Sequence, residues 1–169
     1  ITGNVVLNTG SSLTLSSSSS VSGTINGSSS ATGTLNLASN SAVSANAAIG
    51  ATNSLSAVNL NSSSSLNLGN YTLSATTVEI ASGATLTVGT GSVTGTIQGA
   101  SDGVGTAAFS GNNTLAGNVG TSANSLSSIT LAASKTLTAG SNSLDATTIT
   151  LGESSTLTTS GNITGAVAL

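Results

Sequence analysis

Apart from one tyrosine, the ionisable side chains of this sequence are Glu79, Asp102, Lys135, Asp145 and Glu153. Histidine and cysteine are absent, so zinc-type ligand sets, thiol chemistry and a Ser-His-Asp relay are excluded. What is left for acid–base work is a pair of carboxylates, and such a pair must converge on one face to act together. Glu79 and Asp102 can fall on neighbouring coils, but an internal comparison argues against a site. Residues 71 apart match along much of the chain, and each charge has a neutral counterpart: Thr150 for Glu79, Ser74 for Asp145, Ser82 for Glu153, Ser64 for Lys135 and, where Gly27–Gly33 aligns with Gly99–Gly105 at an offset of 72, Ser30 for Asp102. Isolated solvated charges are the expectation, with no catalytic residue, metal or other cofactor. The stretch Asp102-Gly103-Val104-Gly105 offers a single carboxylate, too few oxygen donors for tight calcium binding.

The other pattern with chemical content is Thr-x-Thr around a large aliphatic residue. It occurs at Thr85-Leu86-Thr87, Thr136-Leu137-Thr138, Thr148-Ile149-Thr150 and Thr156-Leu157-Thr158. On a strand, successive side chains alternate faces, so the aliphatic residue points inward and both threonines outward. Thr85, Thr87, Thr136, Thr138, Thr148, Thr150, Thr156 and Thr158 are therefore a candidate outward ladder. Earlier equivalents read Ser12/Thr14, Ala42/Ser44, Ser65/Asn67 and Thr114/Ala116, which leaves the ladder broken. Threonine is also simply a polar residue that suits a strand. Asn-x-Ser/Thr triplets at Asn26, Asn61, Asn70, Asn112 and Asn162 are what so Asn-, Ser- and Thr-rich a chain produces by chance.

The elements that would carry these residues follow from the repeat. Ser54–Ile80 and Ser125–Leu151 align with every large aliphatic position matched: Leu55 with Leu126, Val58 with Ile129, Leu60 with Leu131, Leu66 with Leu137, Leu73 with Leu144, Val78 with Ile149, Ile80 with Leu151. The apolar clusters are short and alternating, as in half-buried strands. One recurring set runs from Val5-Val6-Leu7 through Leu35, Val58, Val78, Ala107 and Ile129 to Ile149, with steps of 30, 23, 20, 29, 22 and 20 residues. A second set passes through Leu13, Val43, Leu66, Leu86, Leu115, Leu137 and Leu157; a looser third passes through Val21–Ile25, Ile49, Leu73, Val93–Ile97, Val119, Leu144 and Ile163–Val167. Units near 20 residues with three strands each predict an all-β fold, a parallel β-solenoid (β-helix) with three short strands per coil. About seven coils, grouped in a 71-residue higher-order repeat, make one segment over residues 1–169. The long steps predict two loops leaving one corner, at Gly27–Gly33 and Gly99–Gly105. Glycine and asparagine are expected at corners because both tolerate positive φ. Phe109 is expected in the core and Tyr71 at a corner. Proline is absent, in keeping with a ladder that needs every N–H.

Composition bounds the partners. Charged residues are 3% of the chain and net charge is −3 with one cation, which excludes electrostatic capture of nucleic acid and a polybasic membrane contact. No apolar run approaches the ~20 residues of a spanning helix, so no membrane insertion is expected of this segment. A mean hydropathy of +0.35 with evenly spaced aliphatics separates it from disordered chains of similar polarity.

Stretches such as Val78–Ile97 (VEIASGATLTVGTGSVTGTI) and Ile149–Val167 combine a short aliphatic strand, a Ser/Gly turn, Leu-Thr, and a Gly-centred Val/Ile-Thr-Gly strand. In this the chain resembles the passenger regions of bacterial autotransporters and related large surface adhesins. The resemblance implies an extracellular, cell-surface β-helix belonging to a longer polypeptide, with any export signal outside this segment. The Thr-x-Thr ranks in turn resemble those of ice-binding β-solenoids. Two function classes follow: a non-enzymatic stalk, adhesin or filament subunit meeting a host or cell-surface glycan or protein, and an ice- or glycan-binding solenoid using its Thr/Ser ladders. Both ends lie within strand-like pattern and lack polar caps, so the expected partner of each end is another coil, by covalent continuation or end-to-end self-association.

Overall fold

The computed structural model describes residues 1–169 and contains strands and turns but no helix. All strand pairs are parallel. The chain winds as a β-solenoid of about eight turns, so the expected architecture is the one formed. At a strand spacing of about 4.8 Å it is a rod roughly 35 Å long.

Three faces make up each turn. The third is the most regular, an eight-stranded sheet from Ser19–Val21 through Ala42–Ala45, Ser65–Asn67, Thr85–Val88, Thr106–Phe109, Leu126–Leu131 and Leu144–Leu151 to Ile163–Ala168. The second stacks Leu13, Leu35, Val58, Val78, Ile97, Val119, Leu144 and Ile163 as one inward file. The first stacks Val5, Ile25, Ile49, Leu73 and Val93, with Leu115 next above Val93 by the Thr94↔Ala116 bridge, and carries a separate inward file of Asn113, Leu137 and Leu157 in the upper turns. These files meet in one continuous core of aliphatic side chains, with Phe109 fully enclosed in it. Tyr71 is instead exposed beside Gly69 and Asn70.

Two expectations are corrected. The turns number about eight rather than seven, and Gly27–Gly33 and Gly99–Gly105 are not excursions. Both segments stay in the wall of the coil: Ser28 N–H donates to Leu7 C=O below, and Ala100 N–H to Ile80 C=O. One turn takes between 18 residues (Ile149 to Val167) and 25 (Val119 to Leu144) throughout. The long steps mark places where a recurring sequence set moves to the next face. Thr106–Phe109 therefore lies on Thr85–Val88, not on Thr77–Ile80, whose next rung is Thr96–Gly99.

Corners are built in two ways. After the last inward aliphatic of the first sequence set, the third residue on has positive φ: Gly10, Asn40, Ser63, Gly83, Ser134 and Ser154. In most cases the next N–H closes back on the residue after the aliphatic, as from Ser64 to Asn61 C=O at 3.0 Å and from Ser155 to Gly152 C=O at 3.0 Å. Elsewhere no turn is needed, because one strand bends across two faces. In Leu73–Ile80 both Ala75 and Val78 are buried while Thr76 and Thr77 point out, so the alternation slips by one residue at the corner. Gly95 supports the next bend at φ +114°, where a Cβ would run into the Ala75 carbonyl oxygen. Asparagine mostly does something other than adopt positive φ. The Oδ1 atoms of Asn4, Asn26, Asn112 and Asn118 each accept a backbone N–H from the turn above, carrying the ladder round the corners.

Candidate interaction faces

The threonines of the Thr-x-Thr pattern lie on two faces. Thr85, Thr87, Thr148 and Thr150 are on the third face, separated by two rungs. Thr136, Thr138, Thr156 and Thr158 are on the first, where Thr136 pairs with Thr156 and Thr138 with Thr158. Thr114 stands beneath Thr138. On the third face the intervening rungs supply Thr106 and Ser128, so one outward column bears a hydroxyl on five successive rungs, Ser65, Thr85, Thr106, Ser128 and Thr148. The neighbouring column, Asn67, Thr87, Ala108, Thr130 and Thr150, is interrupted at Ala108. Strand alternation places these groups and the sheet sets their axial spacing at about 4.8 Å.

The second face carries an outward file that the search for threonine overlooks. Asn36, Asn59, Glu79 and Gln98 occupy consecutive rungs. Asn59 Nδ2 donates to Asn36 Oδ1 at 2.9 Å, and Gln98 Nε2 donates to Glu79 Oε1 at 3.3 Å. The signal for it is a polar residue at the centre of successive triplets: Leu35-Asn36-Leu37, Val58-Asn59-Leu60, Val78-Glu79-Ile80.

The carboxylates are spread along the rod. Glu79 belongs to the amide file, and Glu153 lies at the corner between third and first faces beside Ser134, whose N–H donates to the Glu153 carbonyl. Asp102 and Asp145 line one shallow groove with Ser125, Thr147 and Thr164. Asp102 is fully exposed, yet its carboxyl is held below the ordinary range by hydrogen bonds from the Ser125 hydroxyl and the Ser125 N–H. The Oδ1–Oγ distance is 2.5 Å, as short as charge-assisted bonds become. This carboxylate is thus committed to joining its turn to the next. Chemically, the surface offers hydroxyl and amide groups in axial files, with very little charge.

The chain matches no protein-family model, no curated protein and no solved structure with which it was compared.

Proposed function

We propose that this solenoid is a non-enzymatic structural or adhesive rod of the extracellular space: a segment of a cell-surface stalk, adhesin or filament of the autotransporter-passenger kind. One observation carries the reading. The two long copies preserve what builds the coil and let the outside change. Inward positions are aliphatic in both copies, and positive φ recurs at Ser63 and Ser134 and again at Gly83 and Ser154. Outward positions vary: Asn59 becomes Thr130, Glu79 becomes Thr150, Tyr71 becomes Asn142, Ser74 becomes Asp145. A duplicated ligand site keeps its outward groups, whereas a duplicated spacer keeps its core and corners. Partners in this reading are further coils of the same kind, by covalent continuation or end-to-end association, and a glycan or protein of a host or cell surface along the sides.

The test is display of the segment between an export-competent anchor and a reporter epitope on a bacterial surface. Replacing the four outward threonines of the third face by serine leaves display and adhesion unchanged in this reading. Loss of adhesion with display intact would transfer the function to that face.

A second reading, ice or glycan binding, is favoured by the five-rung hydroxyl column from Ser65 to Thr148. Thermal hysteresis of the purified protein, abolished by Thr85→Lys with Thr148→Lys, would establish the ice-binding form of it.

A further inference from the structure

The faces are not bonded equally along the rod. Between the fourth and fifth turns the ladder runs from Leu73↔Val93 to Ile80↔Gly99, and the third face adds Thr85↔Thr106 to Val88↔Phe109. One level up, the third face keeps its full pairing, Thr106–Phe109 against Ser128–Leu131. The first and second faces fall to isolated bridges, Thr94↔Ala116 and Ile97↔Val119.

The cause is local. Phe109 is the one member of its sequence set that is followed by no positive-φ residue three positions on; Asn112 stands there instead. The following strand is only Asn113–Thr114. Asn113 takes the inward position that Leu137 and Leu157 hold in the two turns above. It is 8% exposed; its Nδ2 donates to the carbonyls of Gly89 at 3.0 Å and Gly91 at 2.7 Å, while its buried Oδ1 has no partner. An inward asparagine buries less apolar surface than the leucines above it, and the loss falls where the ladder is thinnest.

We propose that this level is a joint. The rod opens on the first face, between Val93–Gly95 and Ala116–Asn118, and flexes about the third face, whose ladder stays closed. The inference does not depend on the stalk reading. It concerns a conformational property of the coil whatever the coil is for.

Amide hydrogen exchange on the whole chain tests it. Ile97 and Gly120, whose N–H groups donate across this level to the Asn118 and Ile97 carbonyls, exchange at least about tenfold faster than Ser128–Leu131, because protection follows the free energy of local opening. Thr94 and Ala116 are both outward-facing bridge partners, so the pair Thr94→Cys with Ala116→Cys can be closed by a disulfide. Oxidation of that pair brings Ile97 and Gly120 to the rate of Ser128–Leu131, and reduction restores the difference. Equal protection of the two sets of amides in the unmodified protein would overturn the joint. So would a difference that persists undiminished with the disulfide formed.

Discussion

Ser54–Ile80 and Ser125–Leu151 are close copies in sequence and occupy different sides of the rod. Val58 faces the core from the second face and its counterpart Ile129 from the third. Leu66 belongs to the third face and Leu137 to the first. The offset of 71 residues thus corresponds to three full turns and one face more. Corner geometry travels with the sequence: Ser63, at φ +59°, turns the chain from second to third face, and Ser134, at φ +58°, from third to first. What the difference teaches is that strand and turn are specified locally, whereas the face they occupy is a matter of accumulated phase. Comparing charges with their counterparts accordingly compares positions on different faces, not one site in two states.

The sharpest way to break this equivalence is through the core. Leu66→Asp and Leu137→Asp each place an unpaired charge in an apolar file, and each is expected to cost several kcal/mol, read as loss of cooperative thermal unfolding at ambient temperature. Thr87→Asp, outward on the rung above Leu66, and Thr138→Asp, outward beside Leu137, are expected to change stability by no more than about 0.5 kcal/mol. A large effect at one leucine and not the other would show that the two faces bury their files differently.

Next in size are the bends. Gly95→Ala sets a Cβ against the Ala75 carbonyl oxygen, and Gly165→Ala does the same to Ala146. Both residues have φ near +120°, a region that costs a residue with a side chain about 1–3 kcal/mol even without the collision. Gly95 lies mid-rod with a turn stacked on either side, laddered below and bridged above, whereas Gly165 in this segment has a turn on one side only. Chemical denaturation is expected to show the larger loss for Gly95→Ala.

A smaller effect separates the corners from the faces. Ser63→Gly and Ser134→Gly relieve the left-handed backbone and are expected to leave stability unchanged or raise it by up to about 1 kcal/mol, and the β-branched Ser63→Val and Ser134→Val to lower it by about 1–2 kcal/mol. Unequal responses at the two serines would mean that the corner, and not the local sequence, dictates the turn.

The smallest expected effect is on pH. The folded state holds the Asp102 carboxyl below its ordinary value of 3.8 through Ser125. Its contribution is therefore fully present above that value and is lost as pH falls through the lower folded-state one. Asp102→Asn removes this acid-sensitive contribution. Melting below pH 4 is expected to steepen slightly less with acid in the variant than in the parent, with no difference in slope at neutral pH.

Much of this architecture was legible in the residues. Alternating Leu-Thr-Leu and Val-Glu-Ile triplets announce strands and their inward sides, and the matched aliphatics announce the repeat. Phase was not legible. Leu73–Ile80 contains no turn residue, so nothing in it signals that it rounds a corner by slipping its alternation at Ala75. Equating one sequence set with one face then turned the steps of 30 and 29 residues into loops. The threonine pattern was visible for the same reason as the strands, but its division between two faces depends on the same hidden phase. The joint at Asn113 was hidden more deeply, since an inward asparagine looks like one more polar residue in an Asn-rich stretch.

The mismatch between copy and turn behaves like the thread of a screw. A chain lengthened by further copies of the same offset would carry each outward group to a new side with every copy and regain the starting side after three. Such a rod has no front or back. Something approaching it from any direction meets the same sequence of groups at some height, so the rod need not be rotationally aligned to be met, and no broad plane of one composition grows along it.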